Sequence, residues 1–429
     1  MIDLTSELNL NFFHENGFIR KKCKQCGSYF WTLNEKAEFC GEAPCVEYSF
    51  IGQSHKELSL DETRESFLSF FEAHGHKRVE RRPVIARWRE DLFLTDASII
   101  VFQPYVTSGL VPPPANPLCI SQVCIRLKDI DRVGLTFGRH LTIFEMMAHH
   151  VFNYPDKEIY WKDETVRLHH EYVTKELGFA PEEVFYKENY WEGGGNAGPC
   201  LECCIRGLET ATLVFMSYKV VEDKGIKRFE KIPIRIVDTG YGLERIAWLL
   251  NGTPSSFEVI YGPLLDRFSN ELNVEIPSKD LLIKYSKLSG NLIALGSKDI
   301  KQIRKKIAAE LNIDVFKLEK LISPLEMVYA LLDHTKCITF MLADGLIPSN
   351  AKEGYLGRLV IRRALRLLYL LKSRLSLSDL VALQIDYWSK TFPELRENSD
   401  RILRIIEIEE NKYLKRYLRE EGKQDTKYA

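Results

Sequence analysis

The spacing of hydrophobic and polar residues changes along the chain and divides it into three regions. Between about residues 58 and 262, short runs of β-branched and aromatic residues alternate with glycine and proline, which is typical of strands and turns. From about residue 263 onward, apolar positions recur with the period of an amphipathic helix. Residues 1–57 carry four of the ten cysteines. The pattern therefore predicts three domains, at 1–57, 58–262 and 263–429.

The middle region is predicted to begin with one helix and to continue as strands. Ser59 and Glu62 have the spacing of a capping box, and Gly75 supplies the helix end. Because strand-like runs then follow one another with few helices between them, we predict an α+β fold built on an antiparallel sheet. The predicted strands are 78–85, 99–102, 118–126, 140–147, 201–205, 211–218 and 232–237.

The last region is predicted to be a helical domain. Amphipathic runs extend over about 297–312, 324–345, 354–374 and 399–422, with short breaks between them. A helical bundle is the plain interpretation of this pattern.

Composition narrows the class of protein. Apolar residues make up 45% and charged residues 28% of the chain, which excludes a wholly disordered protein. The net charge of −1 excludes a uniformly basic surface but leaves room for a local basic patch. No apolar run approaches 18 residues and the N-terminus lacks an apolar signal core, so we expect a cytoplasmic protein with no membrane partner.

Four cysteines near the N-terminus have metal-ligand spacing. Cys23 and Cys26 are separated by two residues, and Cys40 and Cys45 by four. Two such pairs can deliver four thiolates to one tetrahedral structural Zn²⁺. A module this small has a small hydrophobic core and needs a stabilising cross-link of this kind. The alternative is a set of buried thiols without metal. For Cys200 and Cys203 we expect ordinary core thiols, because a strand turns them to opposite faces.

Two glycine-rich segments differ in their chemistry. The glycines at 193, 195 and 198 match a dinucleotide fingerprint in spacing alone, and we predict a flexible loop on a pocket rim because no helix follows. The segment 235–245 instead runs from a strand through Gly240 and Gly242 into a helix that carries Arg245. There a flat ligand can approach the backbone, and the arginine and the helix dipole both attract anions. Asp238 could hold an ammonium group; a plain glycine-rich turn is the alternative.

Two more groups of residues suggest nucleotide and RNA chemistry. Arg126 could fork onto a phosphate, Phe144 could stack on a base and Glu145 could accept from an exocyclic amine. On the predicted helix of the last region, basic residues recur at i, i+4 and i+8 as Arg358, Arg362 and Arg366. Residues 358–374 contain six basic and no acidic residues, which suits phosphate contacts; a solvated helix face is the alternative.

Together these segments resemble class II aminoacyl-tRNA synthetases, and among them the alanyl-tRNA synthetases of the archaeal type. The resemblance extends from about residue 10 to about residue 420. The helix of the middle region and residues up to Pro83 resemble motif 1 of that class, residues 124–145 motif 2 and residues 238–245 motif 3. Three further stretches resemble the alanyl type: 107–117 (TSGLVPPPANP), 144–150 (FEMMAHH) and 193–200 (GGGNAGPC).

The resemblance implies ATP- and Mg²⁺-dependent activation of alanine, followed by its transfer to the 3′ end of tRNA(Ala). It assigns Arg126 to the α-phosphate of ATP and Arg245 to the γ-phosphate, with Phe144, Glu145, Gly240 and Gly242 on the nucleotide side. It assigns Asp238 to the amino group of alanine. Trp191 and Val214 are implied to line the small amino-acid pocket. Asn350 is implied to read a wobble pair near the amino-acid end of the tRNA, beside Arg358, Arg362 and Arg366.

Length sets the limits of this expectation. The family continues into editing and C-terminal domains, which 429 residues do not accommodate. We therefore expect either a partial chain or a second polypeptide that carries those domains. Two alternatives of other classes stay open: a tRNA-binding paralogue with reduced catalysis, and an adenylating enzyme that charges an acceptor other than tRNA.

Overall fold

A nine-stranded sheet forms the centre of the computed structural model, which describes residues 3–223, 225–294 and 300–425. The strand order is β1-β2-β6-β7-β8-β9-β5-β4-β3, and all neighbours are antiparallel except the parallel pair β3 and β4. The strands are β1 (Ile19–Lys22), β2 (Tyr29–Thr32), β3 (Lys77–Arg78), β4 (Leu118–Ile125), β5 (Ile143–Asn153), β6 (Val184–Gly193), β7 (Asn196–Ile205), β8 (Leu208–Asp223) and β9 (Ile226–Gly242).

Helices flank this sheet and make up most of the chain after β9. Among the described residues no helix has both the length and the apolar character that crossing a membrane requires. The helices are α1 (Leu4–Glu7), α2 (Asn11–Glu15), α3 (Leu60–Ala73), α4 (Lys162–Glu171), α5 (Leu243–Asn251), α6 (Ser256–Tyr261), α7 (Pro263–Glu271), α8 (Lys279–Ala294), α9 (Ile300–Leu311), α10 (Val315–Ala343), α11 (Lys352–Leu370), α12 (Leu377–Trp388), α13 (Glu394–Glu397) and α14 (Ser399–Asp425).

Both faces of the sheet are covered, which confirms the predicted α+β architecture. On one face Phe67 and Phe71 of α3 pack against Tyr241 of β9, and Trp248 of α5 is fully buried in the same cluster. A second, smaller apolar cluster lies apart from the first and includes Phe102, which packs on Phe152. Cys203 belongs to the first cluster and Cys200 to the second, as expected from strand alternation.

The start of α3 confirms the predicted capping box. The Ser59 hydroxyl accepts a hydrogen bond from the Glu62 N–H, and the Glu62 carboxylate accepts one from the Ser59 N–H. Two N–H groups that a helix start leaves unpaired are thereby satisfied. Gly75 follows the helix with φ +83°, as expected for a glycine stop.

Three local predictions in the middle region were wrong. Of the predicted strand 78–85 only Arg78 lies in a strand, β3, because Pro83 cannot donate and the side chain of Gln122 hydrogen-bonds both backbone groups of Arg82. The predicted strand 99–102 is a 3₁₀ helix, Ser98–Phe102, whose apolar run is buried in the second cluster. The glycines at 193–198 form a tight hairpin between β6 and β7, with Gly194 and Gly195 at positive φ.

Several elements were not predicted, and one helix is longer than predicted. Strands β1, β2 and β6 lack a clear alternating pattern, yet Trp31 of β2 pairs with Tyr186 of β6, so N-terminal residues extend the sheet. Helix α10 was expected from residue 324 but begins at Val315 and continues through Pro324, stabilised by burial of Leu318 and Ile322. Of the predicted run 297–312, residues 297–299 lie outside the described residues.

Helix α10 is bound to the start of β5 by polar contacts. Asp333, fully buried, accepts hydrogen bonds from the N–H of Thr142, at 2.8 Å, and from its hydroxyl. Nearby, Gly134 has φ +84°, and a Cβ at this position would stand 2.2 Å from the backbone oxygen of Glu326. The helix therefore approaches the loop before β5 so closely that only glycine fits.

We expect Gly134→Ala to destabilise the protein more than Gly75→Ala does. Gly75 has the same positive φ, but its Cβ would meet nothing within 4 Å, so this control measures backbone strain alone, about 1–2 kcal/mol. Gly134→Ala adds a collision with backbone that cannot move aside, a further cost of about 1–3 kcal/mol. Chemical denaturation of both variants measures the difference. Equal losses in the free energy of unfolding would contradict the close approach.

Candidate active site

A cavity of about 850 Å³ opens where β4, β5, β8 and β9 meet the start of α5. The strands bring together residues that are more than 100 positions apart in the sequence. Among its lining residues are eight that the sequence predicted, namely Arg126, Phe144, Trp191, Val214, Asp238, Gly240, Gly242 and Arg245. These eight residues include two cations, one buried carboxyl group and apolar side chains.

The two arginines are held in place by neighbouring groups. Arg126 donates from Nε to the backbone oxygen of Asp96 at 2.9 Å, and its guanidinium lies 4.9 Å from the centroid of the Phe144 ring. Arg245 donates from Nη1 to the backbone oxygen and the carboxylate of Glu209, each at 3.1 Å. Neither set of contacts uses all of the guanidinium N–H groups, so both residues keep donors for an anion.

Glycines shape the part of the cavity beside Arg245. A Cβ on Gly240 would stand 3.0 Å from Sδ of Met146, so a side chain there would crowd the cavity wall. Gly242 is the N-cap of α5 and offers no side chain to the first-turn N–H groups. Those N–H groups and Arg245 therefore lie together, an arrangement that favours a bound anion.

Asp238 is a buried carboxyl group with no cation beside it among the described residues. It is 6% exposed, and burial raises the pKa of Asp238 to about 8. His150 lies beside it, with Nδ1 3.5 Å from Oδ1 of Asp238. Burial lowers the pKa of His150 to about 3, so this ring is neutral near pH 7 and does not compensate the carboxylate. The position is suited to a ligand that brings its own positive charge.

Trp191 and Val214 form an apolar wall close to Asp238. Val214 pairs with Asp238 across β8 and β9 and with Cys200 across β7 and β8. The half-buried Trp191 packs on the same apolar cluster. Its ring fills the space beside Gly193, where a Cβ would come within 2.4 Å of it. The hairpin thus fixes the indole, and the wall leaves little room beside the carboxylate.

Glu145 lies elsewhere, in contrast to its predicted contact with an adenine amine. Its carboxylate accepts two hydrogen bonds from Arg64, each at 2.6 Å, and one from Ser121 at 2.8 Å. Burial raises the pKa of Glu145, but the Arg64 charge outweighs burial and lowers it. The side chain does not line the cavity, because neighbouring strand residues point to opposite faces and Phe144 takes the cavity side.

Other cavity residues were missed by the sequence reasoning. Thr210 and Thr212 on β8 line the cavity together with Val214, and Glu209 holds Arg245. Residues two positions apart in a strand share a face, so the assignment of Val214 to the pocket could have indicated Thr212 and Thr210 as well. His140 also lines the cavity, and burial lowers its pKa to about 4, so it is neutral near pH 7.

The four N-terminal cysteines form a cluster that fits a metal ion. The Sγ atoms of Cys23, Cys26, Cys40 and Cys45 all lie within 4.8 Å of one another. A tetrahedral zinc–thiolate site needs sulfur separations of about 3.8 Å, and Cys26 and Cys40 stand 3.9 Å apart. Burial raises the pKa of Cys23, but backbone N–H groups, including those of Cys26 and Cys40, outweigh it and lower the pKa to about 6. These donors and thiols suit Zn²⁺.

The predicted basic stripe on α11 is only partly free. Arg362 and Arg366 are exposed. Arg358 forms a two-pronged ion pair with Glu409 of α14, with its Nε 2.7 Å from Oε2 and its Nη2 2.9 Å from Oε1. It also donates to Oδ1 of Asn350 at 2.6 Å. Arg358 therefore differs from its predicted role as a phosphate contact, whereas Asn350 is exposed as a recognition residue must be.

Comparison of the sequence with known proteins identifies its family. The family described as tRNA synthetases class II (A) matches residues 62–423, and the chain belongs to this family. The resemblance drawn from the three motifs is thereby confirmed.

The chain is also similar to curated archaeal proteins. It is 56% identical over 408 residues to a protein named alanine–tRNA ligase from Korarchaeum cryptofilum, and 53% identical over 411 residues to one of that name from Saccharolobus islandicus. Each alignment covers 95% of this chain and 45% of the relative. The chain therefore spans about half the length of the curated relatives that it matches.

We expect the purified protein to contain one zinc ion, and Cys40→Ser to lose it, because three thiolates hold Zn²⁺ more weakly than four. Chelation should also lower the melting temperature, since the cluster adjoins β1 and β2. Elemental analysis measures the stoichiometry. Cys119→Ala, at a buried cysteine outside the cluster, serves as the control and should keep the metal. Zinc-free native protein would refute the site.

Proposed function

We propose that this chain activates alanine with ATP and transfers it to the 3′ end of tRNA(Ala). The observation that carries the proposal is the cavity, which is lined by Arg126, Arg245, an apolar wall and the buried carboxyl group of Asp238, beside which the described residues place no cation. The similarity to proteins named alanine–tRNA ligase supports the choice of substrates. We also propose the three domains of the sequence analysis, at 1–57, 58–262 and 263–429, and a cytoplasmic location.

In this proposal the arginines and the first turn of α5 bind the phosphates of ATP. Attack of the alanine carboxylate on the α-phosphate increases the negative charge there, and Arg126 stabilises it. Arg245 holds the γ-phosphate end of the chain, and Phe144 stacks on the base. Gly240 and Gly242 keep the backbone open to the nucleotide. The reaction requires no side-chain nucleophile.

Mg²⁺ fits the donors of this cavity. It is usually bound by one or two carboxylates together with substrate phosphates, and Glu209 offers a carboxylate beside Arg245. Bound there, the ion would neutralise phosphate charge. Glu209 has a second role, because its backbone oxygen and carboxylate together orient the Arg245 guanidinium.

Asp238 would bind the ammonium group of alanine, and Trp191 and Val214 would limit the side chain to a methyl group. Such a pocket excludes large amino acids by collision. It discriminates weakly against glycine and serine, since one small group is worth about 1–3 kcal/mol. Accuracy therefore calls for a separate editing activity, which we propose to reside in a further domain or a second polypeptide.

The helical region would bind the tRNA. Arg362 and Arg366 are exposed on α11 and would contact phosphates. Asn350, in the loop before α11, would read the wobble pair near the amino-acid end. Phosphate contacts supply affinity without sequence information, so discrimination among tRNAs would depend on the Asn350 loop.

Alanine-dependent exchange of pyrophosphate into ATP, followed by charging of tRNA(Ala), tests the proposal. We expect exchange with alanine and formation of alanyl-tRNA. Absence of exchange with every amino acid would contradict an activating enzyme and favour a tRNA-binding paralogue. Exchange without charging would limit the function to adenylation and favour another acceptor.

We expect Asp238→Asn to stabilise the protein while abolishing efficient use of alanine. The folded protein keeps the Asp238 proton up to about pH 8, whereas the unfolded chain loses it near pH ~4. The folded state thus binds more protons between these values, and the stability that this group contributes falls as the pH rises through them. Asparagine has no such cost, so the variant should be more stable at pH 8 by about 1–3 kcal/mol.

The same substitution should raise KM for alanine in the exchange reaction by roughly 10–100-fold, because a charged hydrogen bond is lost. Asp266→Asn, at an exposed carboxylate on α7, is the matched control and should change neither property. Unchanged exchange in Asp238→Asn would show that another group binds the ammonium.

A further inference from the structure

The guanidinium of Arg358 makes four hydrogen bonds at the junction of α11, α14 and the loop before α11. In addition to its contacts with Glu409 and Asn350, its Nη2 donates to the backbone oxygen of Pro348 at 3.2 Å. Each of its three nitrogens therefore has a protein acceptor. A side chain used in this way is suited to hold a loop in position and poorly placed to bind a phosphate.

These contacts fix the orientation of the Asn350 amide. A guanidinium has donors and no acceptor, so Asn350 must present Oδ1 to it. The Nδ2 amine then points away from Arg358, and within the described residues it has no hydrogen-bond partner. The exposed group offered by this loop is consequently a pair of N–H donors, which selects for an acceptor on the bound RNA.

Glu409 holds Arg358 in turn. It is 6% exposed and accepts from Arg358 and from Lys412, the latter at 2.8 Å. Its position in α14 means that the loop is supported from a helix more than 50 residues further along the chain. The loop itself is closed by the Ser349 N–H, which donates to the backbone oxygen of Gly354 at 3.1 Å. Backbone closure and the ion pair together leave the Asn350 amide little freedom.

We propose that Arg358 and Glu409 are positioning residues that hold the Asn350 amide with its N–H donors toward the acceptor stem, and thereby set tRNA specificity. This inference rests on the proposed function, in which the Asn350 loop reads the wobble pair. It assigns Arg358 a role in specificity through Asn350 and leaves the phosphate contacts to Arg362 and Arg366.

The test compares kcat/KM for two transcripts of tRNA(Ala), one with its wobble pair and one with a Watson–Crick pair in its place. The ratio of the two values measures discrimination. We expect Arg358→Lys and Glu409→Gln each to reduce this ratio at least tenfold while leaving alanine-dependent pyrophosphate exchange unchanged. Lysine keeps the charge of Arg358 but lacks the planar fork that reaches Glu409 and Asn350 together.

Two control variants separate positioning from general effects of charge. Arg362→Gln, one helical turn further along α11, should lower kcat/KM for both transcripts and leave the ratio unchanged. Lys412→Gln removes the other partner of Glu409 while keeping the Arg358 bond, and it should also preserve the ratio. Combining Glu409→Gln with Asn350→Ala should lower the ratio no further than Asn350→Ala alone, since both act through one amide.

The failures of the two proposals are distinguishable. If Asn350→Ala abolishes discrimination but Arg358→Lys and Glu409→Gln retain it, the positioning role is wrong and the proposed function stands. The same conclusion follows if the effects of Glu409→Gln and Asn350→Ala simply add. If Asn350→Ala discriminates as well as the native chain does, the loop does not read the wobble pair, and both its proposed role and this inference are wrong.

Discussion

The elements that surround the cavity meet at a buried group of charges beneath it. Arg64 of α3 binds Glu145 of β5, and Glu244 of α5 accepts hydrogen bonds from the Glu145 N–H. Lys336 of α10, only 2% exposed, completes the group, because burial raises the pKa of both Glu145 and Glu244 and its charge acts to lower it. Its ammonium lies 3.7 Å from the centroid of the Trp388 ring. Removing one member of such a group leaves an uncompensated buried charge at a cost of roughly 3–5 kcal/mol. The cavity walls and the helical region are thus joined by electrostatics as well as by apolar packing.

Features that local chemistry determines could be predicted from the sequence. The capping box of Ser59 and Glu62 requires four consecutive residues and nothing else, and it was found. Strand β4 has a run of apolar residues with clear ends, and it was also found. The prediction of a strand at 78–85 was wrong because the backbone of Arg82 hydrogen-bonds the side chain of Gln122, 40 positions away, where a strand would pair with a neighbouring strand. Strand β2 pairs with β6 across more than 150 residues, and neither has a pattern that reveals this partner.

In the candidate site, too, residues in local motifs could be predicted and contacts between distant residues could not. Arg126, Asp238 and Arg245 were recognised because they belong to ordered motifs, and they lie in one cavity. Glu145 was predicted to accept from an exocyclic amine but lies outside the cavity, and alternation along β5 could have separated it from Phe144. Arg358 was expected to contact phosphate because its spacing matches Arg362 and Arg366. Its actual partner, Glu409, lies on a helix whose position depends on the tertiary fold.

Helix α11 brings the Asn350 loop and the cavity close together. Leu356 lines the cavity, and Arg358, two residues later, supports the Asn350 loop. Two residues correspond to about 3 Å along a helix axis. A displacement of this single turn would therefore alter the cavity wall and the loop at once. Because Leu356 and Arg358 belong to the same helical turn, the cavity wall and the Asn350 loop are coupled directly through the backbone of α11, without intermediate side chains.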